Sequence, residues 1–181
     1  MKKFAIVTAG ILAMSLSATQ SAHADADADM IKSAEAAAPA ALSADAAIYS
    51  MGADGKMKTL REGKSGWWCM PDSPSTPGPD PMCGDANAMK WAMAWIGKTE
   101  PPKGAVGFMY MLAGGTDASN TDPYATAPTA DNSWVKTGPH VMIVGAVDMM
   151  AGYPTEAKAD TSKPYVMWAG TPYAHLMVPV Q

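Results

Sequence analysis

The stretch GWWCMPDSPSTPGPDPMCGDANAMKWAMAWIG, residues Gly66–Gly97, holds both cysteines of the chain and its clearest helical pattern. Between Cys69 and Cys83 lie thirteen residues, five of them proline, and a methionine stands on the inner side of each cysteine, Met70 and Met82. Gly66-Trp67-Trp68-Cys69 reads as the end of a strand. The prolines that follow cannot continue a helix or a central hydrogen-bonded ladder, so they make a stiff loop. After Cys83 the pattern becomes helical over Asp85 to Ile96, with Asp85 as N-cap and Gly97 just past the end. On that helix Met89, Ala92, Met93 and Ile96 share a face and Trp91 and Trp95 flank it. Only Asn87 and Lys90 are polar, so the helix is expected to pack deeply against a sheet.

Outward from this centre the signals are mostly those of strands. Ala46–Met51 and Lys56–Leu60 flank an Ala53-Asp54-Gly55 turn. Ala105–Leu112 and Val141–Val147 are apolar runs of strand length, and Tyr165–Ala169 and Ala174–Val178 form a final pair. Gly114–Ser133 reads as a long polar loop, and Asp148–Pro164 as irregular chain with one helical turn. Asp25–Ala47 has eleven alanines in 23 residues, with a helix predicted over Ile31–Ala38 that Pro39 ends or kinks. The expected fold is α+β: a mostly antiparallel sheet of five to seven strands, one principal helix (85–97) on a face, and a disulfide-closed Pro-rich loop. The expected organisation is a signal peptide over 1–24, an Ala-rich N-terminal helix or arm over 25–45, and a single domain over 46–181.

Lys2, Lys3, the apolar run Phe4–Leu16 and Ala22-His23-Ala24 form the pattern of a secretory signal cleaved after Ala24. The apolar run is short for a membrane span, and the mature chain is expected in the periplasm or outside the cell. Removing the two lysines leaves 11 basic residues against 17 acidic ones, with no basic run, which disfavours nucleic acid and anionic membranes as partners. The partner expected instead is a small ligand or another protein, for a monomer or small homo-oligomer.

In an exported chain two cysteines default to one disulfide, Cys69–Cys83. Fourteen methionines would remain in the mature chain beside six tryptophans and one phenylalanine, Phe108. Methionine is a flexible core filler, but its thioether also suits Cu(I). The two histidines that survive cleavage stand in matching dyads, His140-Val141-Met142 and His175-Leu176-Met177. Residues i and i+2 of a strand share a face, so two such dyads on adjacent strands would offer a two-nitrogen, two-sulfur site for copper. Asp117, Asn120 and Asp122 cluster oxygen ligands suited to calcium, without the spacing of an EF-hand loop. For acid–base catalysis the candidates are His140 or His175 with Asp72, Asp80, Asp85 or Glu62, and Arg61 would bind an anion. No nucleophile elbow, metalloprotease helix, phosphate loop or dinucleotide fingerprint occurs.

Cys69-Met70-Pro71-Asp72, Asp80-Pro81-Met82-Cys83, Ser119–Pro123, Gly138–Gly145 and Tyr165–Met177 together resemble a family of small exported bacterial proteins of unknown function. The resemblance runs from about Ala36 to the C-terminus. It implies export and a single domain, and carries no activity, cofactor or site residue. The function expected is a non-catalytic binding or envelope protein that holds a soft metal such as copper through the His-x-Met dyads. The alternatives are a small hydrolase using a His/Asp pair and a Met-rich envelope protein whose exposed sulfur absorbs oxidant.

Overall fold

The computed structural model describes residues 14–180. Helix α1 (Met14–Glu35) and the single turn α2 (Ala40–Ser43) precede strands β1 (Ala47–Met51), β2 (Met57–Arg61), β3 (Trp68–Met70) and β4 (Met82–Gly84). Helix α3 (Ala86–Ile96) leads to β5 (Gly107–Met111), β6 (Ala118–Ser119), β7 (Trp134–Val135) and β8 (His140–Val144). A 3-10 turn over Val147–Met149 is followed by β9 (Tyr165–Met167) and β10 (His175–Pro179). The first half of the predicted signal peptide lies outside the described residues, and the predicted cleavage point after Ala24 falls within α1. That helix ends at Glu35, earlier than the Ala38 expected, and Pro39 sits at the N-cap of α2.

Eight strands form one sheet in the order β2-β1-β3-β4-β5-β8-β10-β9, and β6 and β7 pair separately. Every neighbouring pair in the large sheet is antiparallel except β1 and β3, so the sheet is mixed and wider than the five to seven strands expected. The extra width comes from Met82–Gly84, a strand of three residues with no sequence period of its own. It forms because the Cys69–Cys83 disulfide and the Met70–Met82 pairing hold it against β3. The chain between them is tied internally: the Asp72 carboxylate accepts from the Asp80 N–H, and the Asp80 carboxylate accepts from the Ser73 N–H.

Asp85 caps α3 as expected, accepting from the backbone N–H groups of Asn87 and Ala88, and its second oxygen accepts from Phe108 N–H on β5. One side chain thus starts the helix and fixes it to the sheet. At the other end Gly97 is right-handed (φ −77°) and Lys98 takes the left-handed position (φ 54°), so the predicted glycine stop is displaced by one residue. The buried face of α3 is Ala88, Trp91 and Ala94, whereas Met93 and Ile96 are exposed. The buried face is rotated from the expected one because Trp91, stacked on Trp168, is the helix tryptophan that takes the sheet. The helix lies so close to β5 that a Cβ on Gly107 would fall 2.3 Å from Ala88 N.

Strand alternation divides the core. On one face Ile48, Cys69 and Cys83 lie under Ala34, Ala37 and Ala38 at and beyond the end of α1. The opposite face carries Trp68, Met109, Met142, Tyr165, Met167 and Met177 under Trp91 of α3 and Trp168. That second face positions the site.

Candidate functional site

The dyad strands β8 and β10 are neighbours, and register puts all four dyad residues on the α3 face of the sheet. Met142 stands directly opposite Met177, and His140 opposite Pro179. His140 also faces Met111 of β5, Met142 faces Met109, and His175 faces Met167 of β9. The inward positions of four neighbouring strands, β5, β8, β10 and the edge strand β9, are therefore mostly methionine or histidine. The two histidines are offset by about four residues along the strands, or about 13 Å between Cα levels, with the Met142–Met177 pair between them. Each imidazole thus has thioethers as its immediate neighbours, and a shared site has to form over the central pair.

A cavity of about 300 Å³ lies over this face, between the sheet and α3, and both histidines line it. Eleven methionines contribute to its wall, and Asp80 is the one charged residue among them. A second cavity of about 280 Å³ opens at the other side of His140 and Met177, beside Thr137, Ser162, Tyr165 and Pro179. His140 and Met177 thus form part of the partition between the two.

Both imidazoles are held alike. His140 Nδ1 lies 2.7 Å from Gly138 O, and His175 Nδ1 lies 3.0 Å from Tyr173 O. A carbonyl only accepts, so each Nδ1 carries the hydrogen and each Nε2 keeps its lone pair. His175 is 1 % exposed and its Nε2 has no hydrogen-bond partner among the described residues, a costly state for a buried acceptor. Burial disfavours its imidazolium first, and His140 adds to the effect, pushing its pKa down to about 4. Burial also lowers the pKa of His140, against the opposing pull of Gly138 O. Both rings are neutral at pH 7, which is the form that binds metals.

Around His175 stand Trp91 and Trp168, nearly parallel to each other (interplanar angle 9°) and edge-on to the imidazole. Trp168 has φ 56°, in the left-handed region that a bulky residue adopts only under constraint. The constraint is visible: its backbone N–H donates to Asn120 O, its indole N–H donates to Ser119 O, and its carbonyl accepts from Thr171. At the other histidine, Gly115 leaves room for the ring; a Cβ there would lie 2.7 Å from His140 Cε1 and 2.5 Å from Thr137 Oγ1.

Most of the remaining candidate residues are engaged elsewhere. Asn120 donates its amide to Glu156 O and Ala157 O and so ties two loops, while its buried Oδ1 has no partner among the described residues; Asp122 accepts from Tyr124 N–H within its own turn. Asp117 is partly buried on the approach to β6. Asp72 and Asp80 brace the proline-containing segment, Asp85 caps α3, and Glu62 is exposed. Arg61 donates to Glu35, Ser43 O and Ala46 O. Among the described residues no group of three His, Cys, Asp or Glu side chains lies together as a metal site. Sequence reasoning named the dyads but missed Met109, Met111, Met167, Trp91 and Trp168 as their surroundings. The signal was the alternation in Phe108-Met109-Tyr110-Met111, which repeats on β5 the spacing of the dyads. No family model matches the chain, and no curated protein or solved structure is significantly similar to it.

Proposed function

We propose that the chain is an exported binding protein that holds Cu(I) through His140, Met142, His175 and Met177. The observation that carries this reading is the unpartnered Nε2 of His175, buried in a cavity walled by thioethers. Thioether is a soft, uncharged donor that suits Cu(I), and neutral imidazole also binds copper, whereas magnesium or calcium calls for several oxygen ligands. The backbone carbonyls on each Nδ1 fix ring orientation and tautomer, the role that outer partners play for metal-binding histidines. The Cys69–Cys83 disulfide is compatible with the oxidising compartment that the reading requires. The oxidant-absorbing alternative is less well supported, because Met109, Met111, Met142, Met150, Met167 and Met177 are all buried. The hydrolase alternative has less support still, since Asp72, Asp80 and Asp85 hold backbone groups.

Anaerobic competition with a chromophoric Cu(I) chelator tests the proposal. The mature protein is expected to take Cu(I) and to leave Zn(II) with its own indicator. His175→Leu and the double variant Met142→Leu/Met177→Leu are expected to weaken Cu(I) binding by more than about tenfold. Failure of the wild-type protein to withdraw Cu(I) overturns the reading. Native mass spectra of protein from the periplasm that show an organic molecule in the cavity would redirect it to an apolar small ligand.

A further inference from the structure

Three of the methionines that line the histidine-bearing cavity are far from buried: Met51 is 51 % exposed, Met57 43 % and Met93 48 %. Met51 and Met57 are direct cross-strand partners on β1 and β2, and Met93 reaches the same cavity from α3. Side chains that are both half in solvent and in the cavity wall mark its mouth. Met57 opens the edge strand β2 between Lys56 and Lys58, where a third lysine would protect the edge against aggregation better than methionine does. Inside the mouth thioethers continue across the sheet. Met70 pairs with Met82, and the pairing of Cys83 with Tyr110 brings Met82 level with Met111, which faces His140. Neighbouring strands are about 4.8 Å apart, a step that two flexible methionine side chains span together.

Resting on the Cu(I) reading above, we infer that Met51, Met57 and Met93 form a surface uptake site from which Cu(I) passes along Met70, Met82 and Met111 to the histidines. The metal stays Cu(I) throughout. At each step one Cu–S bond forms as another breaks, and a final Cu–N bond to an imidazole replaces a Cu–S bond, so no electron or proton acceptor is needed. The route gives the mouth a kinetic role separate from holding the metal. A soft cation arriving on a donor molecule meets thioethers before it meets the buried imidazoles, whose Nε2 atoms it would otherwise reach only through an apolar interior.

The test is Cu(I) transfer from a chromophoric chelator to the folded mature protein, followed by stopped flow, beside the equilibrium affinity of the same samples. Met51→Leu/Met57→Leu/Met93→Leu keeps the apolar mouth and removes its sulfur, and such half-exposed, nearly isosteric changes leave folding intact. Transfer is expected to slow by about tenfold, a barrier increase of about 1.4 kcal/mol, with the equilibrium affinity unchanged within about twofold. Unchanged transfer with unchanged affinity overturns the uptake site. Slower transfer in Ser162→Trp, which narrows the second cavity, with no effect of the triple variant, overturns it in favour of a route through that cavity. If the wild-type protein takes no Cu(I) at all, the metal reading itself fails, an outcome distinct from both.

Discussion

The ring centroids of His175 and Trp168 lie 4.8 Å apart at an interplanar angle of 78°. The cover on the imidazole is set by backbone geometry: Trp168 holds a left-handed conformation, and its indole N–H is anchored on Ser119 O. Strain of this kind costs about 1–3 kcal/mol and persists only where the surroundings impose it. Here the β9–β10 hairpin and the β6 loop impose it together. The result is a neutral imidazole sealed among indoles and thioethers, with a lone pair that no group among the described residues uses.

That sealing gives the protein a defined sensitivity to acid. His175 has an ordinary pKa of 6.5 and a folded value of about 4, so between these values the unfolded chain binds more protons than the folded one. Stability is fully present above pH 6.5 and is lost as pH falls toward 4. Between pH 7.5 and pH 5 the loss from this residue is about 2 kcal/mol. His140, lowered for the same reason, acts in the same direction. Urea unfolding at the two pH values is expected to show the difference in the wild-type protein and to show most of it removed in His175→Leu. An equal slope in both proteins would mean that the imidazole is not sealed.

Gly115 and Gly138 provide a matched pair beside the other histidine. A Cβ at Gly115 meets the His140 ring at 2.7 Å, whereas a Cβ at Gly138 meets nothing within 4 Å. Gly115→Ala is expected to cost about 1–3 kcal/mol through overpacking. By turning the ring from its carbonyl partner it should also weaken Cu(I) binding by about tenfold. Gly138→Ala should be close to neutral on both counts. Thermal unfolding and chelator competition on the two variants separate these outcomes, and equal affinities would remove His140 from the site.

The α+β class, the disulfide, the Asp85 cap and most strand positions were legible in the sequence because each has a local cause: an N-cap residue, a proline run, an apolar stretch of strand length. The dyads were legible for the same reason, since i and i+2 on a strand always share a face. What the sequence did not carry was register. Nothing in Met82-Cys83-Gly84 announces a strand, and nothing in the dyads states that Met142 and Met177 pair while the histidines flank them. A helical wheel shows which residues of α3 share a face and not which of them meets the sheet; Trp91 against Trp168 decides that. Trp168 itself stood in a predicted strand, where its left-handed backbone has no sequence signature.

The disulfide separates the stability of the fold from the chemistry of the cavity. Cys69 and Cys83 are fully buried on the face opposite the histidines, under the end of α1, while their neighbours Met70 and Met82 point into the cavity. Closing a loop of this length is worth about 3 kcal/mol, and the five prolines, by restricting the open chain, reduce that gain to about 2 kcal/mol. Cys69→Ala/Cys83→Ala is expected to lower the unfolding free energy measured in urea by that amount, with a matching fall in the midpoint. The pairing of β3 with β4 also rests on backbone hydrogen bonds and on the Asp72–Asp80 ties, so Cu(I) affinity should remain within about threefold of the wild type, under 1 kcal/mol. Loss of Cu(I) binding in a variant that still unfolds cooperatively would show the reverse: that the bridge sets the position of Met70 and Met82, and that the sheet alone does not.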